Sequence, residues 1–240
     1  MIEIKNISKT YSGKVKAVNQ LNMTVEDGEI IGFIGPNGAG KTTTLKMMTG
    51  ILNPDEGEIL LNGINIQHDP IEAKRQFGFV PDNPDVFLRL KGIEYLNFMA
   101  DIYDVSDELR RQRIAQTAET FQMTNALNDT ILSYSHGMRQ KIVMMGVLVH
   151  SPNIWILDEP LTGLDPQSAY ALKEMMRDHV RLNKTVFFST HVLEVAEKLC
   201  SKVAIINKGE LFYFGTLEAL KSQYPGLSLE DIFLKVTQHE

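Results

Sequence analysis

A single cysteine, Cys200, stands in a chain of 240 residues. No disulfide can form within such a chain, and the composition suits a reducing compartment. Basic residues are in deficit: 24 Lys and Arg against 30 Asp and Glu leave a formal net charge of −6. Without a basic excess to meet phosphodiesters, no nucleic-acid partner is expected. Long apolar runs are missing as well. The longest, residues 142–149, falls far short of the ~20 residues that span a bilayer. The opening Met1-Ile2-Glu3-Ile4-Lys5 lacks the apolar core of a secretion signal. These absences lead to the expectation of a cytoplasmic protein that works at a membrane only through a partner. Internal repeats and low-complexity segments are absent too.

What is present is ordinary for a globular protein: 43% hydrophobic and 22% charged residues, enough for one large core, or one core with a smaller satellite. The most informative stretch is Gly35-Pro36-Asn37-Gly38-Ala39-Gly40-Lys41-Thr42-Thr43. It fits the phosphate-binding loop pattern of a glycine, four residues, then Gly-Lys-Thr. An apolar run, Ile30 to Ile34, precedes it, and Thr44-Leu45-Lys46-Met47-Met48 reads as the start of a helix after it. The glycines let backbone N–H groups turn inward around a polyphosphate, and the helix N-terminus adds its unpaired donors and positive dipole end. Lys41 is expected to reach the β- and γ-phosphates and Thr42 to hold Mg²⁺.

Around this loop the chain alternates strand and helix patterns. Residues 2–7 and 15–25 alternate apolar and polar, as half-buried antiparallel strands do, with Tyr11-Ser12-Gly13 in the turn between them. Tyr11 is then either an ordinary turn residue or an aromatic placed to stack on a purine. Residues 58–63 and 77–80 read as short strands, and residues 70–76 as a short helix. From about 90 to 150 the character changes. No proline stands between Pro84 and Pro152, and the pattern turns helical. Leu109, Ile114, Ala118 and Phe121 fall on one expected apolar stripe. This block reads as a helical subdomain inserted into an α/β core. The expected division is 1–82 with 152–215 for the core and its antiparallel β subdomain, 83–151 for the insert, and 216–240 for a helical tail.

Three further segments carry chemistry. Ile154-Trp155-Ile156-Leu157-Asp158-Glu159-Pro160 is a buried strand ending in two carboxylates, where ligands bind in open parallel sheets. Neighbours on a strand point opposite ways, so the pair divides its labour: Asp158 for a metal shell, Glu159 for an attacking water. Thr185-Val186-Phe187-Phe188-Ser189-Thr190-His191 is another buried strand with a histidine at its end. That histidine is either structural or a sensor of the terminal phosphate. Leu132-Ser133-Tyr134-Ser135-His136-Gly137-Met138 lies just before an apolar helix. Ser135 there is either a plain N-cap or part of a second anion site.

Taken together, these residues resemble the nucleotide-binding subunit of ATP-binding cassette (ABC) transporters, in motif order and spacing, over at least residues 1–215. Gly35 to Thr43 is similar to the family's Walker A, and Ile154 to Glu159 to its Walker B with the catalytic glutamate. Thr162-Gly163-Leu164-Asp165 resembles the D-loop, His191 the switch histidine, and Tyr11 the adenine-stacking aromatic. Tyr134 to Met138 occupies the place of the signature motif. The fold implied is α/β: a P-loop (RecA-like) core with a mostly parallel sheet, an antiparallel β subdomain and an inserted α-helical subdomain. The implied activity is ATP hydrolysis coupled to transport, with ATP and Mg²⁺ as cofactors. Tyr11, Asn37, Gly38, Ala39, Gly40, Lys41, Thr42 and Thr43 are implied to bind ATP, and Glu159 and His191 to be catalytic. Ser135, His136, Gly137 and Asp165 are implied to meet the ATP of a second ATPase subunit, in a homo- or heterodimer joined head to tail. Separate transmembrane permease subunits are the implied partners, which places the chain on the cytoplasmic face of the membrane.

Two positions depart from the usual pattern. His136 adds a ring where the signature usually has glycine. If that ring obstructs the γ-phosphate, His136→Gly tightens the dimer. Asp82 replaces the usual glutamine after Phe79-Val80-Pro81; its oxygen can bind Mg²⁺ or its water, so Thr42, Asp158 and Asp82 form the expected metal side. Asp82, the Gly137-Met138-Arg139-Gln140 run and residues 229–234 look similar to a bacterial subgroup that exports drugs, peptides or ions. Rival readings are a soluble ABC-type ATPase acting on ribosomes or DNA, and an unrelated phosphate-loop kinase. A single Walker A disfavours the first. The signature-like segment and D-loop disfavour the second.

Overall fold

The computed structural model describes residues 1–13 and 15–238, and its strands fall into two sheets. The six-stranded sheet contains β3 (Ile30–Ile34), β6 (Phe77–Val80), β7 (Ile154–Leu157), β8 (Thr185–Thr190), β9 (Lys202–Asn207) and β10 (Glu210–Thr216), in the order β10-β9-β3-β8-β7-β6. All neighbours are parallel except the β9–β10 hairpin. Every residue of β3, β7 and β8 is buried. That explains why their sequences run apolar without alternation: both faces are covered.

The register places four strand ends along one edge. Ile34 pairs with Thr190, Leu157 with Phe188, and Val80 with Leu157. The segments that follow are the phosphate loop, His191, Asp158-Glu159 and Asp82, and parallel strands deliver all four to the same carboxyl edge. Segments from opposite ends of the chain thereby share one edge without any of them lying in a long loop.

The second sheet is antiparallel, in the order β2-β1-β4-β5, formed by β1 (Ile2–Tyr11), β2 (Val15–Val25), β4 (Glu56–Leu61) and β5 (Ile64–Asn65). Its apolar residues, among them Ile2, Ile4, Ile7, Leu21 and Val25, point into one cluster with Phe33, Leu45 and Ile156. β1 runs further than the alternation suggests. Tyr11 is its last residue and pairs with Val15, so it sits at a strand end and not in a loop.

Residues 92–148 contain α3 (Gly92–Ile102), α4 (Asp107–Thr120) and α5 (His136–Leu148). Gly146 of α5 lies under the ring of Tyr95 of α3, where an added methyl would come within 2.7 Å of Cε1. One apolar cluster joins these helices to Val80, Trp155, Leu157 and Phe188 of the sheet. The helical block therefore shares a core with the sheet it interrupts. The expected stripe on α4 holds for Ile114, Ala118 and Phe121, which are buried, but Leu109 is 44% exposed. Leu109 precedes Ile114 by five residues, which at 3.6 residues per turn sets it about 140° round the helix from the buried stripe.

The remaining helices are α1 (Lys41–Met48), α2 (Pro70–Gln76), α6 (Pro166–Arg181), α7 (Leu193–Leu199), α8 (Leu217–Gln223) and α9 (Leu229–Gln238). The tail helices pack Leu220, Leu229 and Ile232 onto Ala196 of α7 and Ile205 of β9. The Ser228 hydroxyl accepts from the N–H of Asp231 at 3.1 Å, the expected cap at the start of α9. Among the described residues no helix is long and apolar enough to cross a membrane.

Candidate active site

The phosphate loop leaves β3 and enters α1 with tight backbone packing. Gly40 has φ 106, and a methyl there would collide with the Ala17 carbonyl. Gly35 has no room either: its methyl would stand 2.5 Å from the Ile206 carbonyl oxygen. These two glycines are required by close approach, as the motif suggests. Gly40 also caps α1 without a side-chain bond, which leaves the first-turn N–H groups free to meet an anion. Lys41 is buried. Its Nζ donates to the carbonyls of Gly35 at 2.6 Å and Pro36 at 3.2 Å. Burial lowers its pKa, and the charges of Glu159 and Asp158 oppose that shift. The ammonium is thus held over the loop before any phosphate arrives.

An open cleft at this edge is lined by Asn37, Gly38, Gly40, Lys41, Thr42, Thr43, Asp82, Asp158 and Glu159, with Pro36 and Ala17 beside them. Ala39 lies behind the lining and is buried. Tyr11 is outside the lining, 42% exposed at the end of β1. A planar ring there faces solvent, which leaves it available for stacking.

The carboxylates differ as expected, but for another reason. β7 stops at Leu157. The N–H of Asp158 still donates to the Val80 carbonyl at 2.8 Å, whereas Glu159 has already turned into the left-handed region, with φ 48. Strand alternation therefore does not separate the two; a tight turn does. Such a conformation costs a non-glycine residue roughly 1 kcal/mol or more and is typical of functional sites. Ser189 stabilises it. Its hydroxyl accepts from the N–H of Glu159 at 3.0 Å and donates to Asp158 Oδ1 at 2.5 Å. Asp158 is 2% exposed. Burial raises its pKa, the hydrogen bonds from Ser189 and Thr42 lower it, and the charges of Asp82 and Glu159 raise it again. The Nδ1 atom of His191 lies 3.0 Å from Glu159 Oε2, with side chains 58% and 14% exposed.

This donor set suits Mg²⁺. Thr42, Asp158 and Asp82 offer hard oxygens, and the crowded negative charge at Asp158 favours a cation. Among the described residues no cluster of three or more His, Cys, Asp or Glu forms a protein-only cage. Mg²⁺ typically keeps several waters and binds through one or two carboxylates and substrate phosphates, a role that Asp158 and Asp82 have the chemistry to fill.

The signature-like segment is elsewhere. Ser135 caps α5, its hydroxyl accepting from the Met138 N–H at 3.3 Å. Ser135 and His136 are exposed, and neither they nor Gly137 line the phosphate-loop cleft. The Tyr134 hydroxyl donates to the Ala126 carbonyl at 2.6 Å and anchors the turn. Asp165 caps α6, accepting from the N–H and hydroxyl of Ser168 at 2.9 and 2.8 Å. It also pairs with Lys141 Nζ at 2.6 Å. Lys141 and Ser168 hold its carboxyl well below the usual range.

Three contributors were not foreseen. Ser189 links both carboxylates, and its only sequence signal is a hydroxyl in an otherwise apolar strand. Lys141 joins α5 to the D-loop-like segment. Gly209, in the β9–β10 turn, donates to the Ala39 carbonyl at 2.9 Å and accepts from the Asn19 N–H at 2.8 Å. Its φ is 84, and a methyl would stand 2.9 Å from the Ala17 carbonyl oxygen. It ties β2 to the back of the phosphate loop.

Comparison with known proteins agrees with this geometry. Residues 18–162 match the family described as ABC transporter. The chain is 34% identical to the ABC transporter ATP-binding protein NatA of Bacillus subtilis, over 98% of this chain and 97% of that one. It is also 34% identical to the linearmycin resistance ATP-binding protein LnrL of the same organism, over 94% of this chain and 72% of that one. A solved ATP-binding subunit of an ABC transporter superposes with a TM-score of 0.94 at 30% identity, covering 98% and 99% of the two chains. With a phosphate loop, a paired-carboxylate strand end and a histidine on one sheet edge, the chain belongs to the ABC transporter family as an ATP-binding subunit with ATPase activity.

Proposed function

We propose that the chain works as half of a head-to-tail dimer that closes on two ATP molecules and drives separate transmembrane subunits, in the direction of export. One observation carries the reading. The phosphate loop, Asp158 and Glu159 line one cleft, with His191 against Glu159, while a second helix start suited to an anion, at Ser135 on α5, stands exposed outside it. A second chain turned to face the first completes both sites.

Within one chain, Asn37 to Thr43 cradle the phosphates and Tyr11 stacks on the adenine. Thr42, Asp158 and Asp82 would hold Mg²⁺, which neutralises phosphate charge when bound. Glu159 accepts a proton from the water whose oxygen attacks the γ-phosphorus, and the bond to the β-phosphate oxygen breaks to leave ADP and phosphate. With Glu159 ionised, Nδ1–H of His191 donates to it and orients the carboxylate. Ser135, His136, Gly137 and Asp165 meet the ATP bound by the partner.

A transmembrane partner is supported by the groove between the sheet and the helical block, lined by Ile51, Phe77, Phe79, Met99, Tyr103 and Val147. Ile51, Phe87, Phe98 and Ile102 are exposed beside it. Large apolar side chains grouped on a surface mark interaction sites. Such docking holds the chain on the cytoplasmic face. Export is supported by the resistance role named for the Bacillus relative and by the subgroup features at Asp82 and residues 229–234. The test is a mild-detergent pull-down with the Glu159→Gln form as bait, in ATP and Mg²⁺. Recovery of a polytopic membrane protein supports the reading. Recovery of ribosomes or DNA complexes without one overturns it in favour of a soluble ATPase.

A further inference from the structure

We propose that His136 is a positioning residue that locks the signature turn to the D-loop of its own chain, so that the two segments facing the partner subunit move as one body. The proposal rests on the two-site reading above and adds to it a role for the one signature residue whose side chain is unusual.

The contact is visible at Gly163. A methyl placed on Gly163 would stand 2.6 Å from Cδ2 and 3.2 Å from Nε2 of His136. The imidazole therefore packs directly on the glycine's Cα, on the side a Cβ would take. The other side of the same residue is also occupied. A methyl on Gly137 would stand 2.5 Å from the Gly163 carbonyl oxygen, so the backbone of the signature turn rests against that carbonyl. Gly163 is held between a ring and a backbone, with φ 77. Four residues on from Gly137, one turn along α5, the Lys141–Asp165 pair at 2.6 Å joins the same two segments again.

Without the ring, one of these contacts disappears. A glycine at position 136 leaves a gap above Gly163, and the D-loop is then held to α5 by the Gly137 contact and a half-exposed ion pair. The Lys141–Asp165 pair holds two side chains together, whereas the ring, exposed on its outer side, bears directly on the Gly163 backbone and blocks its movement toward α5. On that two-site reading, His136 thus supplies rigidity between the two segments, at Ser135–Gly137 and at Asp165, that meet the ATP bound by the partner. This reverses the expectation that its ring is only an obstruction.

Two measurements separate the contact from its consequence. The first is a double-mutant cycle of urea unfolding on the nucleotide-free chain, with His136→Gly and Gly163→Ala. In the native background the new methyl meets the ring. In the His136→Gly background it enters the vacated space, so Gly163→Ala costs clearly less there. Strictly additive costs overturn the lock. The second is ATP-dependent dimerisation in the Glu159→Gln background, followed by sedimentation. His136→Gly should weaken the dimer about tenfold, a coupling of the size that packed networks carry. His136→Phe, which keeps a flat ring, should stay within about threefold of the parent, the effect of a volume-tolerant swap. A tighter or unchanged dimer for His136→Gly overturns the proposal, as does a Phe variant as weak as the Gly variant. If the Glu159→Gln parent itself stays monomeric with ATP, the two-site reading fails. The unfolding cycle then shows separately whether the contact exists.

Discussion

The carboxyl edge of the parallel sheet and the N-terminus of α5 both present groups suited to phosphate, yet they are built in opposite ways. At the sheet edge Lys41 and Asp158 are buried, and the carboxylate charges are in conflict. Asp158 is enclosed, its pKa raised by burial with Asp82 and Glu159 nearby, and Glu159 sits in a strained turn. At the α5 end the groups are exposed, and Asp165 is satisfied by Lys141 and Ser168. The first region holds unspent electrostatic tension that a nucleotide and a cation would relieve. The second is internally at rest. Preorganised charge in a half-enclosed site is what catalysis requires. A surface that closes and reopens needs the opposite.

The comparison breaks most sharply at Glu159. Glu159→Gln should lower ATP hydrolysis by about 10²–10⁴-fold, the usual worth of a general base, while ATP binding persists and the ATP-bound dimer accumulates. Phosphate release and sedimentation read the two effects. Full turnover would remove the base assignment. Next is Lys41→Ala. Losing a buried charged hydrogen-bond donor should weaken ATP at least about 30-fold, equivalent to ~2 kcal/mol, in a nucleotide titration. Unchanged affinity would contradict the phosphate role.

A smaller effect is expected at Ser189. Ser189→Ala leaves Asp158 Oδ1 without its donor and the Glu159 N–H without its acceptor. Urea unfolding should show a loss of about 1–3 kcal/mol, with turnover reduced through the misplaced carboxylates. Wild-type stability would show that another group holds the turn.

The smallest effects sharpen the comparison by sign. Asp158 has a raised pKa in the folded state, so the fold binds its proton more tightly than the unfolded chain. It therefore lowers stability as pH rises through the window above the ordinary aspartate value of 3.8. Asp158→Asn should stabilise the nucleotide-free protein at neutral pH, the gain shrinking in acid, even as hydrolysis fails. Asp165 has a lowered pKa. Its contribution is present above the unfolded value and is lost as pH falls through the folded one. Asp165→Asn should destabilise at neutral pH, and the difference should fade in acid. Thermal melts across pH test both. Two variants moving in the same direction would erase the distinction between the regions.

Much of the first region is legible in the chain because its parts are local. The nine residues from Gly35 to Thr43 are contiguous, and the carboxylates and His191 each end an apolar strand whose period is plain. What was missed depends on distant partners. Ser189 acts on Asp158 across 31 residues, and Gly209 reaches Asn19 and Ala39 from the turn after β9, beside β3 in the sheet but far along the chain. Leu109, five residues before Ile114, falls off the buried face of α4 and is exposed. Opposite orientations of Asp158 and Glu159 were expected from strand alternation, but it is the backbone turn at Glu159 that separates the two side chains.

The second region was legible as a helix start and no more. Ser135 before an apolar helix announces an N-cap, but nothing in its neighbours shows that Gly163 lies under His136 or that Lys141 meets Asp165. By itself the sequence determined which backbone segments can bind phosphate, because that ability depends on glycine, a short strand and a helix start in immediate succession. The tertiary structure alone decided how those segments face one another. Sheet register sets which strand ends share an edge, and side-chain packing sets which turns touch. Both are sums over contacts between residues far apart in the chain, which no local pattern encodes.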